Sequence, residues 1–295
     1  MSYAGRFAPS PTGPLHFGSL VAAIASWLDA RAAGGRWLVR MEDVDATRTV
    51  PGAADDILRT LEAIGLAWDG EVVYQSRRTA LYDAALERLR AAGLVYRCRC
   101  SRKEIADSGI TGIEGAIYPG TCRDLGLGTE VDGADRVRAD AEPVAFVDRV
   151  QGLVRHNVAG DIGDFVLKRR DGLHAYQLAV VVDDAEQRIT DVVRGADLLG
   201  STPRQIALQR HLGYATPRYL HFPVATNAQG EKLSKQTLAP AVDAANAADA
   251  IADALAFLGQ PETGSREPVE MLEAAVRAWD PVRIIHVASK PAPRA

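Results

Sequence analysis

The feature that most constrains the fold is an alternation of short apolar segments with longer amphipathic segments. The short ones have the length and composition of buried strands, and the longer ones place apolar residues three and four positions apart, as in a helix. Strands that alternate with helices are typical of a parallel sheet with crossover helices. In chain order, strand and helix candidates in the first third of the chain cover residues 3–8, 19–33, 37–41, 53–64 and 81–92.

The alternation is interrupted once and then resumes. Cysteines, glycines and short alternating segments such as residues 144–147 indicate a less regular insertion, after which the α/β pattern returns at about residue 165. The last part of the chain is rich in alanine and has helical patterns, and a frayed tail is expected from Lys290. We therefore predict an α/β fold, with a Rossmann-type parallel-sheet domain, an inserted zinc-containing module and a small C-terminal helical appendix. The predicted divisions are residues 1–94 and 165–240 for the two halves of the main domain, 95–164 for the module and 241–295 for the appendix.

Composition narrows the class of protein. Of the 295 residues, 47% are hydrophobic and 24% charged, which is ordinary for a soluble globular protein. The net charge of −4 gives no global basic field, so any contact with RNA must come from a local patch. No apolar stretch of roughly 18 residues predicts a membrane span, and the N-terminal segment lacks the apolar core of a signal peptide. These features predict a cytoplasmic protein.

The loop after the first strand candidate has the composition of a phosphate site. Prolines stiffen it, while Gly13 and Gly18 let the backbone approach a ligand closely. The loop leads into the N-terminus of a helix at Ser19, where unpaired N–H groups favour an anion. His16, just before that helix, can donate a hydrogen bond to a phosphate. The alternative is a stiff turn with a capping serine.

A second polar segment, residues 230–236, carries two lysines after a glycine. Lys232 and Lys235 could neutralise the charge that develops on a leaving pyrophosphate. An isolated pair of lysines is usually an ordinary solvated loop, and the functional interpretation depends on the first loop. Walker-type and GxGxxG patterns are absent where they would be needed, which argues against a P-loop ATPase or a typical dehydrogenase.

Together, residues 8–19 and 231–236 resemble the HIGH and KMSKS signatures of class I aminoacyl-tRNA synthetases. The resemblance implies that an amino acid is activated with ATP, which brings Mg²⁺ with it. It also implies catalytic and ATP-binding roles for particular residues. The implied catalytic residues are His16, Gly18, Lys232 and Lys235. The implied ATP-binding residues are Pro9, His16, Gly18, Ser19 and Lys235.

Four further segments, residues 6–13, 40–45, 175–184 and 191–195, resemble the amino-acid pocket of glutamyl-tRNA synthetases. The resemblance implies that Arg6 and Arg194 pair with the side-chain carboxylate of L-glutamate and that Glu42 holds its ammonium group. Arginine suits this role because its planar fork binds a carboxylate in a bidentate manner. For each residue alone, the alternative is a structural ion pair. The full set of implied glutamate-binding residues is Arg6, Phe7, Ala8, Pro9, Ser10, Glu42, Tyr176 and Arg194.

One position departs from the glutamyl family. Val180 stands four residues after Tyr176, where full-length glutamyl enzymes usually have asparagine. The substitution removes a polar contact and predicts weaker binding of glutamate.

The three cysteines lie within 25 residues of one another. Cys98, Cys100 and Cys122 provide three thiolates, whereas a structural zinc site normally has four tetrahedral ligands. No histidine lies between residues 98 and 122, and Tyr118 is the nearest oxygen donor. We predict one structural Zn²⁺ with Tyr118 as the fourth ligand; three free thiols are the alternative.

The acceptor of the activated amino acid is indicated by resemblance and by an absence. Only about 60 residues follow Lys235, too few for the helical anticodon-binding region of glutamyl-tRNA synthetases. The short chain, the cysteine–tyrosine pattern and Val180 together resemble the glutamyl-queuosine tRNA(Asp) synthetases. This implies tRNA(Asp) carrying queuosine as the partner, and we expect a monomer. Two alternatives remain: a truncated enzyme that charges the 3′ end of tRNA(Glu), and a non-catalytic paralogue that binds an amino acid or RNA.

Overall fold

The chain forms fourteen strands and nine α-helices within the residues that the computed structural model describes, which are 2–112, 115–233 and 240–293. None of these helices has both the length and the apolar character of a membrane span. The strands are β1 (Ala4–Phe7), β2 (Arg36–Met41), β3 (Val73–Tyr74), β4 (Val95–Cys98), β5 (Thr111–Gly112), β6 (Gly115–Ala116), β7 (Ala134–Val137), β8 (Pro143–Asp148), β9 (Gly152–Asn157), β10 (Val166–Lys168), β11 (Asp191–Gly195), β12 (Arg218–Phe222), β13 (Val224–Thr226) and β14 (Ser289–Pro291). The helices are α1 (Phe17–Ala32), α2 (Ala53–Ile64), α3 (Thr79–Ala91), α4 (Arg102–Asp107), α5 (Val158–Asp161), α6 (Tyr176–Glu186), α7 (Thr202–Leu212), α8 (Ala247–Phe257) and α9 (Pro268–Ala278).

Two groups of parallel strands make up the main sheet. In the first group β2 lies between β1 and β3, and in the second β12 lies between β11 and β8, with β9 antiparallel at the outside. The groups meet where the amide of Thr190, just before β11, donates to the carbonyl of Ala4 in β1 at 2.9 Å. The strand order reverses between β1 and β11, the point at which open α/β sheets bind ligands. The predicted α/β fold with a parallel sheet is confirmed.

Helix α1 begins two residues earlier than the apolar pattern predicts because His16 caps it. The Nδ1 atom of His16 accepts a hydrogen bond from the amide of Ser19 at 3.3 Å, which satisfies one of the unpaired N–H groups of the first turn. Leu20, Ile24 and Leu28 are fully buried in the core shared with β1 and β2. The helix N-terminus is thereby fixed beside the loop that follows β1.

The described strands of the inserted segment belong to three sheets, one of which is the small pair β5–β6. Strands β4, β7 and β10 form an antiparallel sheet of their own, whereas the β8–β9 hairpin joins the main sheet through the pairing of Asp148 with Tyr219. Part of the range 95–164 therefore packs with the second half of the main domain. The domain boundaries themselves stay a prediction.

The C-terminal helices pack onto the first half of the main domain. Ile251 of α8 and Met271 of α9 lie in the same hydrophobic core as α1, and the indole nitrogen of Trp279 donates to Asp29 at 2.9 Å. The prediction of a frayed tail is wrong for Lys290 and Pro291, which belong to β14. That strand pairs with β13, and as an outer strand it tolerates a proline because only one of its edges needs N–H donors.

Candidate functional site

The predicted pocket residues meet at the carboxyl edge of the main sheet. Arg6 lies near the end of β1, Glu42 follows the last residue of β2, and Arg194 is the fourth residue of β11. Because these strands are parallel, their carboxyl ends face the same side. The amide of Glu42 donates to the carbonyl of Pro9 at 2.9 Å, which ties the segment after β2 to the loop after β1.

Arg194 is a buried cation, 5% exposed, whose hydrogen-bond partners among the described residues are neutral. Its Nε donates to Nε2 of His221 at 2.9 Å, and its Nη2 donates to the Thr202 hydroxyl at 2.8 Å and to Oε1 of Gln205 at 2.9 Å. The Nη1 atom lies 3.5 Å from the hydroxyl of Tyr176. Within the described part of the chain, no carboxylate oxygen forms an ion pair with this guanidinium. Its charge is therefore available to an anionic ligand.

His221 is held in the neutral form. Its Nδ1 lies 2.6 Å from Oδ2 of Asp148, and both side chains are fully buried. Burial and the charge of Arg194 lower the pKa of His221 to about 4, against the opposing effect of Asp148. Burial alone would raise the pKa of Asp148, but the hydrogen bond from His221, its charge and two backbone amides lower it to about 2. At neutral pH the pair is a neutral imidazole beside a carboxylate.

Arg6 differs from Arg194 because it already has a carboxylate partner. Its Nε and Nη2 bind the two oxygens of Asp184 at 3.1 and 3.3 Å. Asp184 is shared with the fully buried Arg40, whose Nη1 donates to it at 2.8 Å. The ion pair considered as the alternative for Arg6 is thus present. Among the described residues no hydrogen bond involves Nη1 of Arg6, so this atom can meet a ligand.

Glu42 and Tyr176 complete the charged surroundings of the pocket. Burial raises the pKa of Glu42, although Arg40 and Arg6 favour its ionised form; Nη2 of Arg40 lies 3.4 Å from its Oε1. Burial also raises the pKa of Tyr176, whose hydroxyl experiences the charges of Arg194, Glu42 and Arg6. Tyr176 therefore stays protonated, and the Glu42 carboxylate suits the ammonium end of an amino acid.

The remaining predicted glutamate contacts lie on the loop after β1 or in the core. Phe7 packs against Trp37 with ring centroids 6.2 Å apart, so its side chain contributes to the core. Ala8 and Pro9 are half-buried and Ser10 is exposed. Val180 is buried in the apolar cluster around α6. The roles given to these residues in binding glutamate stay predictions.

The two signature segments lie next to each other. A side chain at Gly18 would place its Cβ 3.6 Å from the carbonyl oxygen of Leu233 and 3.2 Å from the His16 ring. After the gap in the described residues, His16 pairs with Ala241 in a short bridge, and the amide of Val242 donates to the carbonyl of Leu15 at 2.8 Å. The described residues on both sides of the gap, Leu233 before it and Ala241 and Val242 after it, therefore lie against the first loop and the start of α1.

Of the two lysines of the second segment, the structure describes Lys232 and does not describe Lys235. Lys232 forms an ion pair with Asp197, near the end of β11. Lys235 lies outside the described residues, so its catalytic and ATP-binding roles stay predictions. The same holds for the roles of His16, Gly18, Ser19 and Lys232.

The three cysteines converge on one point. Their sulfur atoms all lie within 4.8 Å of one another, with Cys100 and Cys122 3.5 Å apart. The hydroxyl of Tyr118 lies 3.9 Å from the Cys100 sulfur and accepts from the amide of Cys122 at 2.6 Å. Burial and the Cys122 sulfur raise the pKa of Cys100 to about 11, whereas the pKa of Cys122 is lowered, against the effect of burial, by hydrogen bonds that include one with Tyr118. A bound cation would favour the thiolate form of Cys100. This donor set can hold a metal ion.

Sequence reasoning missed the residues that hold the arginines. His221 and Asp148 support Arg194, and Asp184 and Arg40 support Arg6. The sequence carries a signal for two of them, because each is a polar residue in or beside an apolar run. His221 lies in β12, and Asp184 lies at the end of the apolar stretch of α6. Their partners are remote in sequence, and only the strand order brings them together.

Comparison with known proteins identifies the family of the chain. The family described as tRNA synthetases class I (E and Q), catalytic domain, matches residues 4–276. The chain is 63% identical over 282 residues to the glutamyl-Q tRNA(Asp) synthetase of Dechloromonas aromatica (strain RCB), covering 94% of this chain and 92% of that protein. It is 59% identical over 283 residues to the protein of the same name from Chromobacterium violaceum, covering 96% and 95%.

A solved structure shows the same fold. The crystal structure of the glutamate–tRNA synthetase from Elizabethkingia anophelis superposes with a TM-score of 0.79 at 24% identity, covering 98% of this chain and 68% of that one. At 24% identity the structural similarity shows the fold alone. The family is shown by the match to the catalytic-domain family and by the two relatives. The chain therefore belongs to the class I tRNA synthetases of the (E and Q) catalytic-domain family, and within it to the glutamyl-Q tRNA(Asp) synthetases.

Proposed function

We propose that the chain activates L-glutamate with ATP, without needing tRNA, and transfers it to queuosine at the wobble position of tRNA(Asp). In the first step the α-carboxylate of glutamate attacks the α-phosphate of ATP, which gives glutamyl-adenylate and pyrophosphate. In the second, a hydroxyl of the cyclopentene-diol ring of queuosine attacks the activated carbonyl, which forms an ester and releases AMP. Both steps rely on positioning and on charge stabilisation.

The observation that carries the first step is the contact between the two signature segments. The first loop and the N-terminus of α1 lie beside both ends of residues 231–242. They lie at the edge of the sheet that also carries Arg6, Glu42 and Arg194. A helix N-terminus with a glycine at its first turn suits the phosphates of ATP. Mg²⁺ bound to those phosphates would offset part of their charge. Arg194 then selects the side-chain carboxylate, while Glu42 favours the ammonium group.

The proposed acceptor of the activated glutamate is supported by the similar proteins. Proteins named glutamyl-Q tRNA(Asp) synthetase share 54–63% of their residues with this chain over 94–96% of its length. Transfer to tRNA(Asp) is thus favoured over charging of tRNA(Glu). A monomer and a cytoplasmic location, where ATP, glutamate and tRNA are all present, stay predictions.

Assays of activation and of transfer test the proposal separately. We expect ATP–pyrophosphate exchange that depends on glutamate and proceeds with no tRNA present. We further expect labelled glutamate to be transferred to tRNA(Asp) that carries queuosine, but not to the same tRNA with unmodified guanosine at that position. Transfer to tRNA(Glu) instead would favour the truncated tRNA-charging enzyme. The absence of exchange with any amino acid would favour the non-catalytic paralogue.

We also propose that Cys98, Cys100, Tyr118 and Cys122 hold one structural Zn²⁺. Thiolates are ligands that zinc prefers, and structural zinc sites have four ligands in a closed tetrahedron. The Tyr118 hydroxyl is the oxygen that faces the three sulfur atoms. The ion would cross-link the end of β4 to the segment around Cys122 and so stabilise the module; no step of the reaction requires it.

Paired tyrosine variants test the fourth ligand. We expect one zinc per chain in freshly purified protein and weaker zinc retention against a chelator in Tyr118→Phe. Tyr96→Phe is the matched control: its ring lies 6.4 Å from that of Tyr118, and its hydroxyl donates to Asp164 instead. Equal retention in both variants would exclude Tyr118 as a ligand. A wild-type protein without zinc would reject the site.

A further inference from the structure

We propose that Asp148 and His221 are positioning residues that orient Arg194 towards the side-chain carboxylate of the amino acid. The proposal deepens the proposed function and rests on it for the identity of that amino acid. Neither residue belongs to the segments that resemble the glutamyl pocket. They are joined to it by a chain of two buried hydrogen bonds, from Arg194 to His221 at 2.9 Å and from His221 to Asp148 at 2.6 Å.

The first step of the argument concerns the tautomer of His221. The Nε–H of Arg194 can only donate, so the Nε2 atom of His221 that it meets must accept. The ring proton then sits on Nδ1 and is donated to Asp148. The Thr202 hydroxyl, 3.3 Å from Nε2, is compatible with this tautomer because it can turn its proton towards the carbonyl of Leu198. Asp148 therefore selects the one neutral form of His221 that can hold Arg194.

Asp148 is itself rigidly placed. Its Oδ1 accepts from the amides of Val150, Gln151 and His221 at 3.0, 2.8 and 3.1 Å, which leaves Oδ2 for the imidazole. The three amides lie on the turn after β8 and on β12, two neighbouring strands of the main sheet. The orientation of Arg194 is thus set by the backbone of that sheet.

The second step concerns charge. Arg6 and Arg40 each bind a carboxylate directly, whereas Arg194 meets a neutral imidazole and the carboxylate stands behind it. A carboxylate in direct contact would satisfy the guanidinium and compete with the carboxylate of the ligand. A neutral acceptor fixes the orientation of Arg194 and leaves its positive charge for the substrate. The more distant charge of Asp148 still offsets part of the cost of burying an arginine.

The Asp148→Asn variant tests the tautomer. The asparagine oxygen can keep accepting from the three amides, but its NH₂ group faces Nδ1 of His221 and must donate to it. The ring proton then moves to Nε2, where it meets the Nε–H of Arg194 as a second donor. We expect KM for glutamate in pyrophosphate exchange to rise by about tenfold to a hundredfold, from the loss of one charge-assisted hydrogen bond, with KM for ATP unchanged.

The matched control is Asp135→Asn, which replaces a buried aspartate of β7 that pairs with Arg90 and Arg97, outside the amino-acid pocket. It should leave KM for glutamate unchanged. Imidazole ¹⁵N NMR provides a readout that needs no activity: His221 should carry its proton on Nδ1 in the wild-type protein and on Nε2 in Asp148→Asn. An Nε2–H tautomer in the wild type would overturn the proposal, as would an equal rise of KM for glutamate and ATP in the variant.

A second variant, His221→Gln, distinguishes the effect of the tautomer from a general loss of folding. In His221→Gln the carboxamide oxygen can accept from Arg194 whatever residue occupies position 148, so adding Asp148→Asn should raise KM for glutamate little further. Additive effects of the two substitutions would show that Asp148 acts by another route and overturn the proposal. If the wild type shows no glutamate-dependent exchange, the proposed function fails, and the tautomer measurement still decides whether Asp148 and His221 hold Arg194.

Discussion

Replacing Arg194 with methionine should abolish most glutamate-dependent pyrophosphate exchange while leaving the affinity for ATP intact. Methionine keeps much of the apolar volume and removes the only buried guanidinium of the described pocket that has no carboxylate partner. Truncating one partner of a buried charge pair costs about 2–5 kcal/mol. We therefore expect kcat/KM for glutamate to fall by roughly thirtyfold to several thousandfold.

The loss should be specific to the amino acid. Arg194→Lys keeps the charge but not the fork, so we expect it to recover only part of the activity. Arg210→Met is the matched control, because this arginine of α7 is exposed and lies outside the pocket; its kinetics should equal those of the wild type. An Arg194→Met protein that loses ATP and glutamate binding to the same extent would show that Arg194 has a structural role.

The contrast between Arg6 and Arg194 shows what the sequence could predict about the pocket. The short apolar segment 3–8 that carries Arg6 predicts a strand, and β1 lies there; Arg194 is the fourth residue of β11. Their environments could not be predicted. The partner of Arg6 lies 178 residues away and that of Arg194 lies 27 residues away. Such pairings follow from the order of the strands, which local patterns do not encode.

The same limit applies to the fold. Helix α2 begins and ends where its apolar spacing predicts, with a glycine in the left-handed conformation at each end. The alternating residues 144–147 indicate an insertion, but they lie in the β8–β9 hairpin, which belongs to the main sheet. The pairing of β8 with β12 brings Asp148 to His221, and thus connects the segment between the two halves to the amino-acid pocket.

Lys235→Ala should lower kcat of glutamate-dependent exchange by roughly a hundredfold to a thousandfold, the usual effect of removing one group that stabilises developing charge. Lys235 lies outside the described residues, so the expectation rests on its neighbours in the chain. Leu233, two residues earlier, lies beside Gly18, and Ala241 and Val242 pair with His16 and Leu15. The segment that carries Lys235 therefore starts and ends at the first loop, where the phosphates of ATP are proposed to bind.

The split between kcat and KM decides whether Lys235 acts on the transition state. A cation that meets the charge developing on pyrophosphate should change kcat and leave KM for glutamate nearly unchanged, because the ground state does not carry that charge. Lys103→Ala, at an exposed position of α4, is the control and should have no effect. Lys235→Arg keeps the charge and should retain more of the rate than alanine. An unchanged kcat in Lys235→Ala would refute the catalytic role and leave Lys232, already paired with Asp197, as the lysine of this segment to test next.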